Sequence, residues 1–196
     1  MPSKDSLSMS HDGDMSVILE GIYVARHRAC RSKDFLLENG ITHIINCAAG
    51  SCESMFRQDF VYLDIALKDE PKSQSCINVP AISLAKFIPA AAFFIQECLD
   101  NGGRVVVHCR KGISRSVSIV AGYLMYERGS TLTQALTMLR ERRITADPNV
   151  WFVEDLRKYQ AKLDAERLAR VRASHAFERK MLSATESLKK IDFSSV

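Results

Sequence analysis

No two of the six cysteines form a Cys-x-x-Cys pair, and none stands at zinc-ligand spacing from a histidine. No metal or cofactor is therefore expected. The cysteines are Cys30, Cys47, Cys52, Cys76, Cys98 and Cys109, and in a chain of 196 residues their even number is no argument for a disulfide framework. Long apolar runs are missing too. Nothing resembles a signal peptide and nothing is long enough to span a bilayer. Pro2 follows Met1, where N-myristoylation requires glycine. These absences point to a reducing compartment, cytoplasmic and/or nuclear. There is no internal repeat, and no large excess of charge of either sign. The net charge of +4 and pI of about 8.8 suit anionic substrates without implying nucleic acid as a partner. With 46% hydrophobic and 26% charged residues, the chain can bury one sizeable core.

Patterning then divides the chain. Residues 1–15, rich in Ser, Asp and Met, read as a disordered tail. Val17-Ile18-Leu19 and Ile22-Tyr23-Val24 read as short strands joined by a tight turn at Glu20-Gly21. Residues 30–39 are helical in character, closed by Gly40. Residues 41–47 and 60–66 read as strands, with a loop or short helix at 48–59. The polar stretch from Asp69 to Ser75 carries Pro71 and reads as an exposed loop. Helical spacing runs over 78–99, with Pro80 in the first turn and Pro89 expected to kink the middle.

Asn101-Gly102-Gly103 turns the chain into a strand at 104–107. The following segment, 114–128, is apolar almost all round and reads as a buried helix ended by Gly129. Thr131 and Gln134 have the form of a capping box, opening a helix to about Arg142. Asp147-Pro148 reads as an N-cap with proline in the first turn of a helix that continues past Leu163. Residues 165–190 are charged and helix-prone. The expected fold is α/β, a central mixed and partly parallel sheet flanked by helices on both faces. The expected divisions are a tail at 1–15, a catalytic domain at 16–163 and a helical extension at 164–196.

The chemistry gathers in His108-Cys109-Arg110-Lys111-Gly112-Ile113-Ser114-Arg115-Ser116. A strand, a loop and a helix N-terminus together aim backbone N–H groups at one point, with the helix dipole behind them. That is an oxyanion cradle, at the carboxyl end of a strand where open α/β sheets bind ligands. Gly112 permits a turn that a side chain would obstruct. Arg115 can fold back and offer two parallel hydrogen bonds to a phosphate. The same cations and dipole can lower a thiol from about 8.5 into roughly 3.5–7.5, which would make Cys109 a thiolate nucleophile. The leaving oxygen needs a proton, and a carboxylic acid on a mobile loop is the expected donor. The candidates are Asp64, Asp69 and Glu70. Asp64 lies inside a strand, whereas Asp69 sits where strand gives way to loop, so Asp69 is preferred and Glu70 is second. Ser116 can hydrogen-bond the departing thiolate when the thiophosphate is hydrolysed.

The His-Cys-(five residues)-Arg-Ser pattern resembles the signature of the cysteine-dependent protein tyrosine phosphatases. In the form His-Cys-Arg-x-Gly-x-Ser-Arg-Ser it is most similar to their dual-specificity branch. Tyr62-Leu63-Asp64-Ile65 with Asp69 resembles that family's acid loop, and Asp147-Pro148-Asn149 with Phe152 its Pro-Asn helix start. Trp151 stands where many members carry glycine. The resemblance covers about three quarters of the chain, and no upstream rhodanese-like domain is expected, so the small atypical members are the nearest group. It implies Cys109 as nucleophile, Arg115 as phosphate clamp, Asp69 as acid, Ser116 in thiophosphate breakdown and the 110–114 backbone as cradle. It also implies that His108 tunes the thiolate. The implied reaction is hydrolysis of phosphotyrosine, and of phosphoserine and phosphothreonine, in a phosphoprotein partner. The alternatives are a phosphoinositide or RNA 5′-phosphatase and, in another class, a non-catalytic phosphoprotein-binding module.

Around this core, Lys111 either adds positive field or touches substrate. Arg143, in the run Arg140-Glu141-Arg142-Arg143, is a candidate contact for a second phosphate or an acidic flank; otherwise it is a solvated helix end. Cys47, at a strand end, is either a core thiol or a disulfide partner for Cys109 under oxidation. The extension is either a solvated helix or an association surface, and the oligomeric state stays open.

Overall fold

Among the described residues, five strands form one mixed sheet in the order β1-β2-β5-β3-β4. They are β1 Met15–Leu19, β2 Ile22–Arg26, β3 His43–Asn46, β4 Val61–Asp64 and β5 Val105–Cys109. This computed structural model describes residues 13–69 and 83–189. The tail up to residue 12, Glu70 and the rest of the polar loop, Cys76 and Pro80 lie outside the described residues. β1 pairs antiparallel with β2, and β2, β5, β3 and β4 run parallel. β5 is buried at every position, as expected of a parallel strand covered on both faces.

Alternation along the strands gives two faces. On one, Tyr23, Ala25, Ile44 and Val106 form a cluster with Leu36 of α1 (Lys33–Glu38) and Phe60. On the other, α2 (Ile88–Asp100) and α3 (Arg115–Tyr126) pack against β5, while α4 (Leu132–Arg142) packs against β1. Every residue from Arg115 to Met125 is buried, which accounts for the all-round apolarity of that segment. A Cβ at Gly122 would lie 2.6 Å from the Ile88 side chain, so the close approach of α2 and α3 requires glycine there. Thr131 and Gln134 form the expected capping box.

The segment 48–59 takes the loop form of the two readings, with turns and no helix. Two local expectations change. Pro89 does not kink a helix. A 3-10 turn at Leu84–Lys86 comes first and α2 begins at Ile88, so Pro89 falls in the first turn, where its missing N–H has no partner to lose. Asp147 is not the cap of the last helix. Its N–H donates to the Ile113 carbonyl at 3.0 Å, and Asn149 caps instead, its Oδ1 accepting from Phe152 N at 2.9 Å. α5 then runs from Val150 to Lys189.

The chain divides into two compact units, one ending at Lys158 and one beginning at Tyr159. Within the second, Lys162–Glu166 and Asp164–Arg167 pair along the helix at 3.8 and 3.6 Å, each pair contributing a few tenths of a kcal/mol. Leu168, Val171, Phe177, Met181 and Leu182 are exposed there. No helix among the described residues is long and apolar enough to cross a membrane.

Candidate active site

β5 reaches two residues further than the apolar run suggests, so Cys109 is its last residue, level with Arg26 of β2. The loop 110–114 follows and α3 begins at Arg115. The thiol is 1% exposed and lies at the focus of the loop. Gly112 N–H and Ser116 Oγ–H both donate to Cys109 Sγ, at 3.2 and 3.3 Å. Burial alone pushes the thiol up. The Ser116 hydroxyl and N–H, the Arg115 charge and the Gly112 N–H outweigh it and hold Cys109 below the ordinary thiol range. Gly112 sits at φ +66°, and a Cβ there would lie 2.6 Å from the Ala25 carbonyl oxygen. Only glycine satisfies both the conformation and the close approach.

Asp69 is brought to this loop from the end of the segment after β4. Its Oδ1 accepts from Ser114 Oγ and from Asn149 Nδ2, both at 2.9 Å, and its Oδ2 lies 3.4 Å from Arg115 Nε. Arg115, largely buried, also donates from Nη1 to the Leu67 carbonyl at 3.2 Å, tying the acid-bearing segment to the start of α3. Asp64 is committed elsewhere: Ser54 Oγ donates to its Oδ1 at 2.7 Å and Arg57 pairs with its Oδ2. Arg110 and Lys111 are exposed on the outer side of the loop.

Arg143 is not open to a second anion. It is 3% exposed, its Nε donates to the Gly112 carbonyl, and its Nη1 donates to Gly13 O and Ser16 Oγ. The side chain turns inward from the end of α4, so the expectation of a solvated or substrate-binding arginine is corrected. Cys47 is wholly buried beside β5, its N–H bonded to the His108 carbonyl at 2.8 Å, and burial holds its thiol well above the ordinary value.

A thiol held low, a guanidinium and a carboxyl around one anion-binding loop match a known pattern. The dual specificity phosphatase catalytic-domain model matches residues 22–162. This chain belongs to the dual specificity phosphatases. It is 32% identical to the protein-tyrosine-phosphatase MKP1 of Arabidopsis thaliana over 79% of its own length, and 31% identical to dual specificity protein phosphatase 1B of the same plant over 76%. It spans 18% of the length of the first and 84% of the second. The crystal structure of the human tyrosine phosphatase-like serine/threonine/tyrosine-interacting protein superposes with a TM-score of 0.66 at 32% identity, covering 76% of this chain and 97% of that one.

Sequence reasoning missed two partners of Asp69 in this phosphatase domain. Ser114 entered only as part of the loop, and Asn149 only as part of a helix start. Asn149 does both jobs, capping α5 with Oδ1 and holding Asp69 with Nδ2. A helix start was visible there with its cap placed on Asp147; the Asn149 cap and its partner 80 residues away were not.

Removing the Ser116 hydroxyl tests the thiolate. A hydrogen bond to a charged group contributes about 1.5–3 kcal/mol, so Ser116→Ala should move the pH midpoint of Cys109 alkylation by iodoacetamide upward by about 1–2 units. An unmoved midpoint would show that Ser116 does not stabilise the thiolate.

His108 has a separate thermodynamic signature. Burial, then the charge of His27, whose ring stacks on it at 5.4 Å, pushes the imidazole down to about 3 from an ordinary 6.5. The folded state therefore resists protonation that the unfolded chain accepts. Stability is complete above about pH 6.5 and is lost as pH falls toward 3, by on the order of 5 kcal/mol in total. Urea midpoints measured between pH 7 and 4 should fall accordingly, and much less so in His108→Asn.

Proposed function

We propose that this domain hydrolyses phosphotyrosine, and phosphoserine and phosphothreonine, in proteins through a phosphocysteine intermediate. The Cys109 thiolate attacks phosphorus while the bond to the leaving oxygen breaks. Asp69 delivers a proton to that oxygen. Loop N–H groups and Arg115 hold the equatorial oxygens. Water then attacks the thiophosphate, Asp69 takes its proton, and the thiolate departs toward the Ser116 hydroxyl. No cofactor enters either step.

The observation that carries this reading is the convergence of Asp69 on the nucleophile's loop, with its carboxyl bonded to Ser114 and Asn149 and 3.4 Å from Arg115. A module that only binds phosphoprotein has no use for an acid held there. The compartment is the cytosol or the nucleus. In support, Cys30, Cys47, Cys52, Cys98 and Cys109 are free thiols, and the nucleophile works only when reduced.

The test is a panel of phosphotyrosine, phosphoserine and phosphothreonine peptides, with a phosphoinositide and a 5′-triphosphorylated RNA alongside. Phosphate release from the peptides is expected. Release from the lipid or RNA alone would replace the protein substrate. Peptide binding without release would replace the enzyme.

A further inference from the structure

Four carbonyls of residues 109–113 are tied down by donors from outside the loop. His27 N–H donates to Cys109 O at 2.9 Å and to Arg110 O at 3.4 Å, and Asp147 N–H donates to Ile113 O at 3.0 Å. The Gly112 carbonyl is held by a side chain instead, accepting from Arg143 Nε at 2.7 Å. The described peptides here are trans. In a planar trans peptide the C=O and the following N–H point in opposite directions. A carbonyl pulled outward therefore turns the next N–H inward. The N–H groups so directed are those of Arg110, Lys111, Ile113 and Ser114. None of them donates to a protein acceptor among the described residues.

Gly112 is the weak point of this arrangement. A glycine at φ +66° has little steric preference for the direction of its own carbonyl, so an external hold has the most effect there. The hold is itself rigid. Arg143 follows α4, is anchored by Nη1 to Gly13 O and Ser16 Oγ at the start of β1, and is 3% exposed. No carboxylate among the described residues lies within ion-pair distance of it, so its hydrogen bonds go to neutral oxygens. A buried cation kept on neutral acceptors is costly unless its geometry is used.

We propose that Arg143 is a positioning residue for phosphoryl transfer: by holding the Gly112 carbonyl outward it aims the Ile113 N–H at an equatorial oxygen of the transferring group. This rests on the function proposed above, but it concerns a residue with no contact to substrate. Arg143→Met removes every donor while keeping a long stem; Arg143→Lys keeps a cation that can reach toward the Gly112 carbonyl without the fixed fork.

Loss of one aimed donor should lower kcat on an aryl phosphate by about 10²-fold in Arg143→Met, with KM within about 3-fold. Inhibition by orthovanadate, which mimics the five-coordinate transition state, should weaken by a similar factor. Arg143→Lys should recover part of both. A folded Arg143→Met with a lowered Tm but unchanged kcat and vanadate inhibition would reduce Arg143 to a core residue and overturn the proposal.

If Arg143→Met does not fold, the wild-type enzyme decides. Titration with orthovanadate followed by ¹H–¹⁵N NMR should shift the Ile113 amide together with those of Arg110 and Lys111. An Ile113 amide that stays put while its neighbours move would overturn the assignment. These binding readouts do not depend on turnover. If the wild type binds vanadate through Ile113 but shows no Cys109-dependent hydrolysis, the proposed function fails, while the aim of the Ile113 N–H at a bound oxyanion stands.

Discussion

Cys109→Ser is expected to abolish phosphate release from aryl phosphates and phosphopeptides, a loss on the order of 10⁴-fold or more. The expectation follows from which form of the side chain the loop stabilises. Gly112 N–H and Ser116 Oγ–H both point at the sulfur, and with Arg115 they hold the thiol below its ordinary range despite burial. A serine hydroxyl ionises far above neutral pH, so the same donors would meet a neutral oxygen that is a poor nucleophile. The cradle and Arg115 are untouched by the change. The variant should therefore still bind phosphopeptide, and it should unfold near the wild-type Tm, since one buried sulfur has been replaced by a smaller polar atom with two donors beside it. Phosphate release and peptide binding measured on one preparation check both halves. Full turnover in this variant would remove the covalent mechanism.

Asp69→Asn should lower kcat by about 10²–10⁴-fold on phosphopeptides. Asparagine keeps a carbonyl oxygen where Ser114 Oγ and Asn149 Nδ2 now donate, so the hold on the side chain is largely retained and the lost element is the transferable proton. The loss should shrink on a substrate such as 4-nitrophenyl phosphate, whose leaving group departs without protonation. An equal loss on both substrates would mean that Asp69 acts by position or charge. Asp64→Asn is the contrasting variant. Its carboxylate is held by Ser54 and Arg57, and its replacement should leave the leaving-group dependence unchanged. If Glu70→Gln instead produced the selective loss, the acid would have to be reassigned.

Much of this was readable from residue order because it depends on neighbours in the chain. The nucleophile, the glycine turn, the clamp and the helix N-terminus occupy nine consecutive positions, so their spacing is set by local backbone geometry. The burial of α3 was readable from its all-round apolarity, and the start of α4 from the pairing of Thr131 with Gln134. Errors arose where a local signal had a distant competitor. Asp147-Pro148 has the form of a helix start, but the Asp147 N–H is drawn to Ile113 O and the cap passes to Asn149. Pro89 looked internal because apolar spacing continued on its N-terminal side, yet a 3-10 turn ends there.

The sequence by itself determined the chemistry of the loop and the alternation of strands and helices, since both follow from short-range spacing. Only the tertiary structure decided which carboxyl serves the loop and what Arg143 does. Asp69 is 45 residues from Ser114 and 80 from Asn149, and Arg143 is 31 from Gly112 and 127 from Ser16. Contacts at such separations are set by strand order and helix packing rather than by local pattern. An arginine in a basic run reads as solvated until the fold closes over it and presents carbonyl oxygens to its guanidinium.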